Sequence, residues 1–262
     1  MVSRFLIYIA FSLTPHLGCA GEVAPLRQGH AHNDYVHERP LLDALENGFC
    51  SVEVDVFLVG DEFLVGHDKK DLRPEKTIQS LYLNPLRERI SKNGGRVYEG
   101  GPTLTLLIDV KSDGSKAYAG LRTLLAKYSD ILSGLDEGKW VQRAVTAVIS
   151  GNRAKDLIAA DESRHAGIDG RISDLQSSTL PHLMPLISAR WGSHFKWKGD
   201  GDFPKGERSK LHNIVRKAHQ SGRMIRFWAT PDKEPMWREL NEAGVDLINA
   251  DNLSGLRKFL RP

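Results

Sequence analysis

The chain has little cysteine: Cys19 and Cys50 are the only 2 in 262 residues. That excludes a scaffold built on disulfides. Charge of one sign is scarce too. Lys and Arg number 36 against 33 Asp and Glu, a formal net charge of +3, and no massed basic tract marks a nucleic-acid partner. No apolar run reaches the ~20 residues of a membrane-spanning helix. No internal repeat or low-complexity tract is visible. A glycine-rich phosphate turn is missing after the first apolar stretch, which speaks against an open dinucleotide-binding sheet. What is present, 40% hydrophobic and 26% charged residues, is ordinary for a globular protein with a sizeable core.

The beginning of the chain stands apart. Arg4 precedes FLIYIAFSL, followed by Pro15 and the small residues of LGCAG. A positive start, a short apolar run and a small-residue exit predict a secretory signal peptide over residues 1–20, cleaved after Ala20. The mature protein, residues 21–262, is then secreted or periplasmic, and Cys50 has no partner for a disulfide. Cys19 offers lipid anchoring as a second reading, against which His16 stands where a lipobox has leucine.

After the leader, β-type stretches alternate with amphipathic helical ones. The strand candidates are PLRQGH, CSVEVDVFL, PTLTLLIDVK, AVTAVISG, GIDGRISD, MPLISARW, MIRFWAT and DLINADN. FLVGHD adds an extended return after the second. Between them lie helical segments such as RPLLDALENG, KAYAGLRTLLAKY, SKLHNIVRKAHQSG and EPMWRELNEAG. This alternation predicts a parallel sheet closed into a single-domain (β/α)8 TIM barrel. Residues 192–210 read as a long polar loop at the barrel mouth, of the length that functional lids have.

In such a barrel the active site lies at the C-terminal ends of the strands. The polar residues there are His30 and His32 after strand one, Glu53 and Asp55 on strand two, and His67 on the return. Asp109 and Lys111 end strand three, Trp228 strand seven and Asp251 strand eight. Strand residues at i and i+2 share a face, so Glu53 pairs with Asp55 and Asp109 with Lys111 on the inner side. Three converging carboxylates repel unless a cation joins them. An all-oxygen set favours Mg²⁺ or Ca²⁺ over zinc. The histidines are then free for proton transfer, and Lys111 supplies positive charge to an anionic substrate. Together these groups describe a phosphodiester site.

GHAHND, SVEVDVFLVGDEFLVGHD and LLIDVK resemble the phospholipase-C-like phosphodiesterase superfamily. It includes glycerophosphodiester phosphodiesterases, phosphatidylinositol-specific phospholipases C and sphingomyelinase D. The chain most resembles a branch with HND near the first strand and SLYLNPL after the second histidine. The likeness runs from about residue 26 to 255, and E-x-D followed by HD is its most specific part. It implies Glu53, Asp55 and Asp109 as metal ligands and His67 as one catalytic histidine. Aligning GH with glycerophosphodiesterases gives His30 as the other. Aligning HN with eukaryotic phospholipases C gives His32, with Asn33 as an added ligand or substrate contact. His30, one layer deeper, is the expected catalyst, because depth should bring it nearer the carboxylates. The chain departs from glycerophosphodiesterases in lacking an arginine after the first histidine and an E-N-T segment. It also has aspartate where the third ligand is usually glutamate, and a short stretch between His67 and strand three. These departures bear on glycerol specificity rather than on phosphodiester chemistry.

The rival reading takes H-x-H as the zinc ligands of an amidohydrolase. It also needs histidines on strands five and six, where GRISD and ISARW have none, and gives Glu53, Asp55 and His67 no task. A barrel that only binds a ligand is a third reading, against which the complete acid set stands. His37, His165, His182, His212 and His219 are expected to be ordinary loop or surface residues. Trp228 is read as a substrate contact or as core filling. The basic helix 210–223 is expected to be a solvated face, with contact to an anionic lipid surface as its second reading. A monomer acting on a small-molecule or lipid phosphodiester is the expectation that results.

Overall fold

The computed structural model describes residues 23–261; the leader and Cys19 lie outside the described residues. β1 (Leu26–Ala31), β2 (Phe49–Val59) and the antiparallel return β3 (Glu62–Val65) come first, with the short helix α1 (Leu42–Glu46) between β1 and β2. Helix α2 (Asn84–Lys92) leads to β4 (Leu104–Val110) and α3 (Gly114–Ala126). A small hairpin, β5 (Gly134–Asp136) and β6 (Lys139–Val141), precedes β7 (Val145–Gly151). Then come α4 (Lys155–Ala160), β8 (Ala166–Gly170), β9 (Leu186–Arg190), α5 (Lys205–Gln220) and β10 (Met224–Trp228). Helix α6 (Glu234–Glu242), β11 (Leu247–Ala250) and α7 (Leu253–Leu260) complete the fold.

Strands β1, β2, β4, β7, β8, β9, β10 and β11 pair in parallel, and pairing of β1 with both β2 and β11 closes them into a barrel. The predicted (β/α)8 TIM barrel is therefore what forms. The closure follows from two-sided burial. Val52, Val54 and Val56 of β2 pack outward into the main core, so the alternate residues Ser51, Glu53 and Asp55 must face the barrel axis.

The barrel interior changes character with height. A small apolar cluster of Leu107, Val148, Leu186 and Leu247, with Met224 against it, plugs one end. Two residues further along the same strands stand Asp109, Ser150, Ser188, Asn249 and Arg226. Ordinary barrels fill these layers with branched aliphatics. Here His30, Ser51, Glu53, Asp55, Asp169, Ser188, Arg226 and Asn249 are all buried, so the C-terminal half of the barrel is a polar chamber.

Two sequence expectations need correcting. Helix α5 begins at Lys205, not near 209, so the irregular stretch after β9 is shorter than the predicted 192–210. Nor is that stretch merely polar. Phe195, Trp197 and Phe203 are buried and stack around Trp191, while Glu207 in the first turn of α5 accepts the backbone N–H groups of Lys196 and Trp197. The hairpin β5–β6 was not foreseen, because its strands are too short for a periodic signal. α5 buries Leu211, Ile214, Val215 and Ala218 and ends at Gln220. Arg208, Lys210 and Arg216 are exposed. Arg223, read from the sequence as part of this solvated face, is instead buried and donates to the carbonyls of Asp174, Ser177 and Thr179. No helix among the described residues is long and apolar enough to cross a membrane.

Candidate active site

A cavity of about 440 Å³ opens at the C-terminal end of the barrel, and its wall includes His32, Asn33, Glu53, His67, Asp109, Lys111 and Trp228. Most of the residues expected from the sequence therefore meet in one place. Glu53, Asp55 and Asp109 offer carboxylate oxygens that all lie within 4.8 Å of one another. β2 and β4 bring them together by register, since Asp55 stands opposite Asp109. The buried Oδ1 of Asp55 has no hydrogen-bond partner. Gly151, with φ of +65°, clears the space beside Asp109, where a Cβ would collide with Oδ1. An unpartnered buried carboxylate oxygen within a convergent acidic set fits a divalent cation. It is the only such set found among the described residues.

Each carboxylate also has protein partners. Lys111 Nζ lies 3.1 Å from both Asp55 Oδ2 and Asp109 Oδ1. Burial raises the pKa of Asp109 and the positive charge of Lys111 opposes that rise. Burial lowers the pKa of Lys111, but Asp109 and Asp55 outweigh it and raise the ammonium above its ordinary value. Glu53 Oε2 forms an ion pair with Arg226 Nη2 at 2.9 Å. Burial works against its charge, yet Arg226 and then His30 hold it well below the usual carboxylate range.

The two first-strand histidines differ sharply. His30 has no exposed surface. Its Nδ1 lies 2.7 Å from Ser51 Oγ and its Nε2 3.2 Å from Glu53 Oε2. Burial, reinforced by Arg226, lowers its pKa to about 4, so the ring is neutral near pH 7. An ionised Glu53 can only accept. Nε2 therefore carries the proton and donates to Glu53, while Nδ1 accepts from Ser51. No nitrogen of His30 is left for a substrate. Greater depth does bring His30 to the carboxylate of Glu53, but it also keeps the ring out of the cavity wall.

His32 lines the cavity, with Nδ1 2.9 Å from Asp251 Oδ1. Burial opposes a charge on its ring, but the hydrogen bond to Asp251 and the charge of Glu53 win and raise its pKa above 6.5. The same bond lowers the pKa of Asp251. His67 repeats the pattern, with Nδ1 3.1 Å from Asp55 Oδ2 and 3.2 Å from the Tyr35 hydroxyl. Both rings thus have Nδ1 held by a carboxylate, and neither Nε2 has a protein partner among the described residues. Asn33 sits beside them in the left-handed region, φ 47°, and accepts from Tyr35 at 3.2 Å. Trp228 is 36% exposed and borders the cavity rather than filling the core.

Sequence reading missed Arg226, Tyr35 and the group Ser150, Asp169 and Arg171. Ser150 donates to Asp169 Oδ2 at 2.7 Å, and Arg171 pairs with the same oxygen at 2.7 Å. Arg226 and Asp169 had a usable signal. A charged residue inside an otherwise apolar strand, as in MIRFW and GIDG, points into the chamber if it lies two residues from a cavity residue. Arg226→Met should leave Glu53 charged and unpaired in the interior, at a cost of about 3–5 kcal/mol. The double variant Arg226→Met/Glu53→Gln should recover most of that loss. Urea unfolding of the three proteins checks both expectations.

Comparison with known proteins follows this geometry. A family model described as the AIM6-like phosphodiesterase domain matches residues 19–168. A model of the glycerophosphoryl diester phosphodiesterase family matches residues 224–254. Altered inheritance of mitochondria protein 6 of Eremothecium gossypii is 30% identical over 282 residues, covering 91% of this chain and 70% of that protein. A homolog of that protein from Arthroderma benhamiae is 28% identical over 260 residues, covering 88% and 82%. Among solved structures, a glycerophosphodiester phosphodiesterase from Agrobacterium tumefaciens superposes with a TM-score of 0.54 at 15% identity, covering 89% of this chain and 99% of that one. A Ca²⁺-dependent phosphatidylinositol-specific phospholipase C from Streptomyces antibioticus gives 0.54 at 14% identity, covering 90% and 96%. At such identities these two share the fold with this chain.

Proposed function

The chain belongs to the AIM6-like phosphodiesterase domain family, and on that premise we propose that it cleaves a phosphodiester with His32 and His67 as the proton-transfer pair. The observation that carries this reading is one cavity lined by two histidines, each with Nδ1 fixed by a carboxylate and Nε2 free, beside the three-carboxylate set. Glu53, Asp55 and Asp109 would hold Mg²⁺ or Ca²⁺. When bound, the ion supplies positive charge that offsets negative charge developing on the phosphate.

The chain's own groups do the rest. One histidine Nε2 takes the proton of the attacking hydroxyl, and the other donates to the departing alkoxide. Asp251 and Asp55 keep the rings oriented, and Asp251 favours the protonated state of His32. Lys111 neutralises the excess acidic charge and presents an ammonium at the cavity wall. His30, held by Ser51, acts one layer below, where together with Arg226 it fixes the Glu53 carboxylate. Trp228 gives the alcohol moiety an apolar wall.

Lysophospholipids, glycerophosphodiesters and bis-(p-nitrophenyl) phosphate, followed by phosphorus NMR, test the reading. A phosphate monoester product indicates attack by water, and a cyclic phosphate indicates attack by a hydroxyl of the substrate. Undiminished turnover after exhaustive EDTA treatment would sink the metal assignment. Activity restored by zinc but by neither Mg²⁺ nor Ca²⁺ would instead support the amidohydrolase reading.

The His32–Asp251 contact carries a pH expectation. The hydrogen bond raises the His32 pKa against the pull of burial, so Asp251→Asn removes the largest raising influence and leaves the charge of Glu53 to oppose burial. The His32 pKa then falls, and its limb of the kcat/KM profile moves to lower pH while the other limb stays. A limb that stays in place, or moves to higher pH, would show that Asp251 does not set the ionisation of His32.

A further inference from the structure

Beyond Trp228 the barrel mouth continues into a second groove, lined by Arg190, Trp191, Phe195, Lys196 and Lys198. Arg190 lines this groove and Trp228 lines the main cavity. They are paired neighbours on β9 and β10, and the Arg190 guanidinium lies 5.7 Å from the centre of the Trp228 ring. We infer that this groove is a subsite for a second anionic group, a phosphate or carboxylate carried by the substrate's alcohol moiety. The inference deepens the phosphodiester reading and rests on it.

Three observations support it. First, the cations are uncommitted: Arg190, Lys196 and Lys198 form no ion pair among the described residues. Two carboxylates of the same segment are engaged elsewhere, Asp200 with Lys233 at 2.7 Å and Glu207 with the backbone of Lys196 and Trp197, while the exposed Asp202 pairs with neither lysine. Asp232 accepts from the backbone of Asp251 and Asn252.

Second, the groove is rigidly built. The run FKWK alternates, with Phe195 and Trp197 buried and Lys196 and Lys198 exposed. The buried rings stack on Trp191 and Phe203, at centroid distances of 4.1 Å for Trp191–Phe195 and 4.6 Å for Trp197–Phe203. Trp191 Nε1 donates to the carbonyl of Trp197 at 2.6 Å, and Trp197 Nε1 to that of Asp200 at 2.9 Å. The loop therefore fixes the backbone that carries its two lysines, which lowers the ordering cost of binding a ligand there.

Third, the charge converges. Three cations facing one concave space favour a discrete anion, whereas an extended membrane surface is better met by cations spread over a convex face. The scissile phosphate is not that anion, because His32, His67, Glu53 and Asp109 line the main cavity and none of them lines this groove.

The test compares glycerophosphoglycerol with bis(glycerophospho)glycerol, which adds a second phosphate to the same alcohol. Binding is measured by calorimetry in EDTA, which withholds metal-dependent turnover, and kcat/KM is measured with Mg²⁺ or Ca²⁺. The wild type should prefer the doubly charged compound by at least ~10-fold in both. In Lys196→Gln/Lys198→Gln and in Arg190→Gln that preference should shrink toward unity, through KM rather than kcat. Equal affinity of the wild type for both compounds, or a preference unchanged in both variants, overturns the subsite. A binding preference lost in the variants, with neither compound turned over, sustains the subsite and removes the phosphodiesterase reading. Variants that release the protein from phosphatidylglycerol vesicles, but not from phosphatidylcholine ones, while keeping the soluble preference overturn it in favour of a lipid surface.

Discussion

Asp55→Asn is expected to abolish turnover with the barrel intact, a loss of about 10³-fold or more, as the loss of several kcal/mol of charge stabilisation requires. Asp55 occupies the centre of the site. Its Oδ1 is buried and unpartnered, and its Oδ2 meets Lys111, His67 and Tyr35. The variant keeps the shape and one acceptor oxygen, yet lacks the charge that draws a cation into the set with Glu53 and Asp109. Glu53→Gln and Asp109→Asn should fall in the same class. Glu53→Gln should show an added stability loss, because Arg226 and His30 lose their ionised acceptor. Calcium or magnesium titration by calorimetry separates the two effects. All three variants should bind metal weakly, and only Glu53→Gln should unfold at clearly lower urea. An Asp55→Asn protein that binds metal and turns over normally would remove the site assignment altogether.

The second large effect concerns the histidines. His32→Ala and His67→Ala should each lower kcat by about 10²–10⁴-fold, the range for losing a general acid or base. A substrate with a p-nitrophenolate leaving group needs no proton on departure, so it should rescue whichever variant lacks the acid and leave the other impaired. His30→Ala should behave differently. It removes the donor to Glu53 and the acceptor for Ser51, so it should weaken metal affinity and stability with no rescue by the activated substrate. The clean contrary result is a His30→Ala protein that is dead with metal bound and rescued by p-nitrophenolate, alongside an active His32→Ala. The catalytic role would then belong to the deeper residue.

Much of the site was legible before folding. E-x-D in a strand of alternating character, HD on the return and D-x-K at the next strand end specify inward-facing residues by the two-residue period alone. They need only the assumption of a closed barrel. Residues that touch the site from inside strands were harder to see. Arg226 looks like a stray charge until closure of the barrel brings β10 within reach of Glu53 on β2, and Tyr35 becomes part of the site only when the loop after β1 brings its hydroxyl to Asp55.

The sequence by itself determined the fold class, the order of the strands and which residues face the barrel axis, because alternation in a two-sided strand leaves one choice. It could not determine height along that axis, which depends on how neighbouring strands slide past each other. β1 begins with Leu26 opposite Phe49, a register that would bring His30 level with Glu53. An irregularity between Leu26 and His30 shifts the pairing, so that His30 stands opposite Ser51 and the next inward residue, His32, comes up to the level of Glu53. Strand register is a sum of long-range contacts that no local spacing encodes. That slip seals one histidine beneath the floor and opens the other to the cavity, so tertiary structure decided which of two identical side chains lines it.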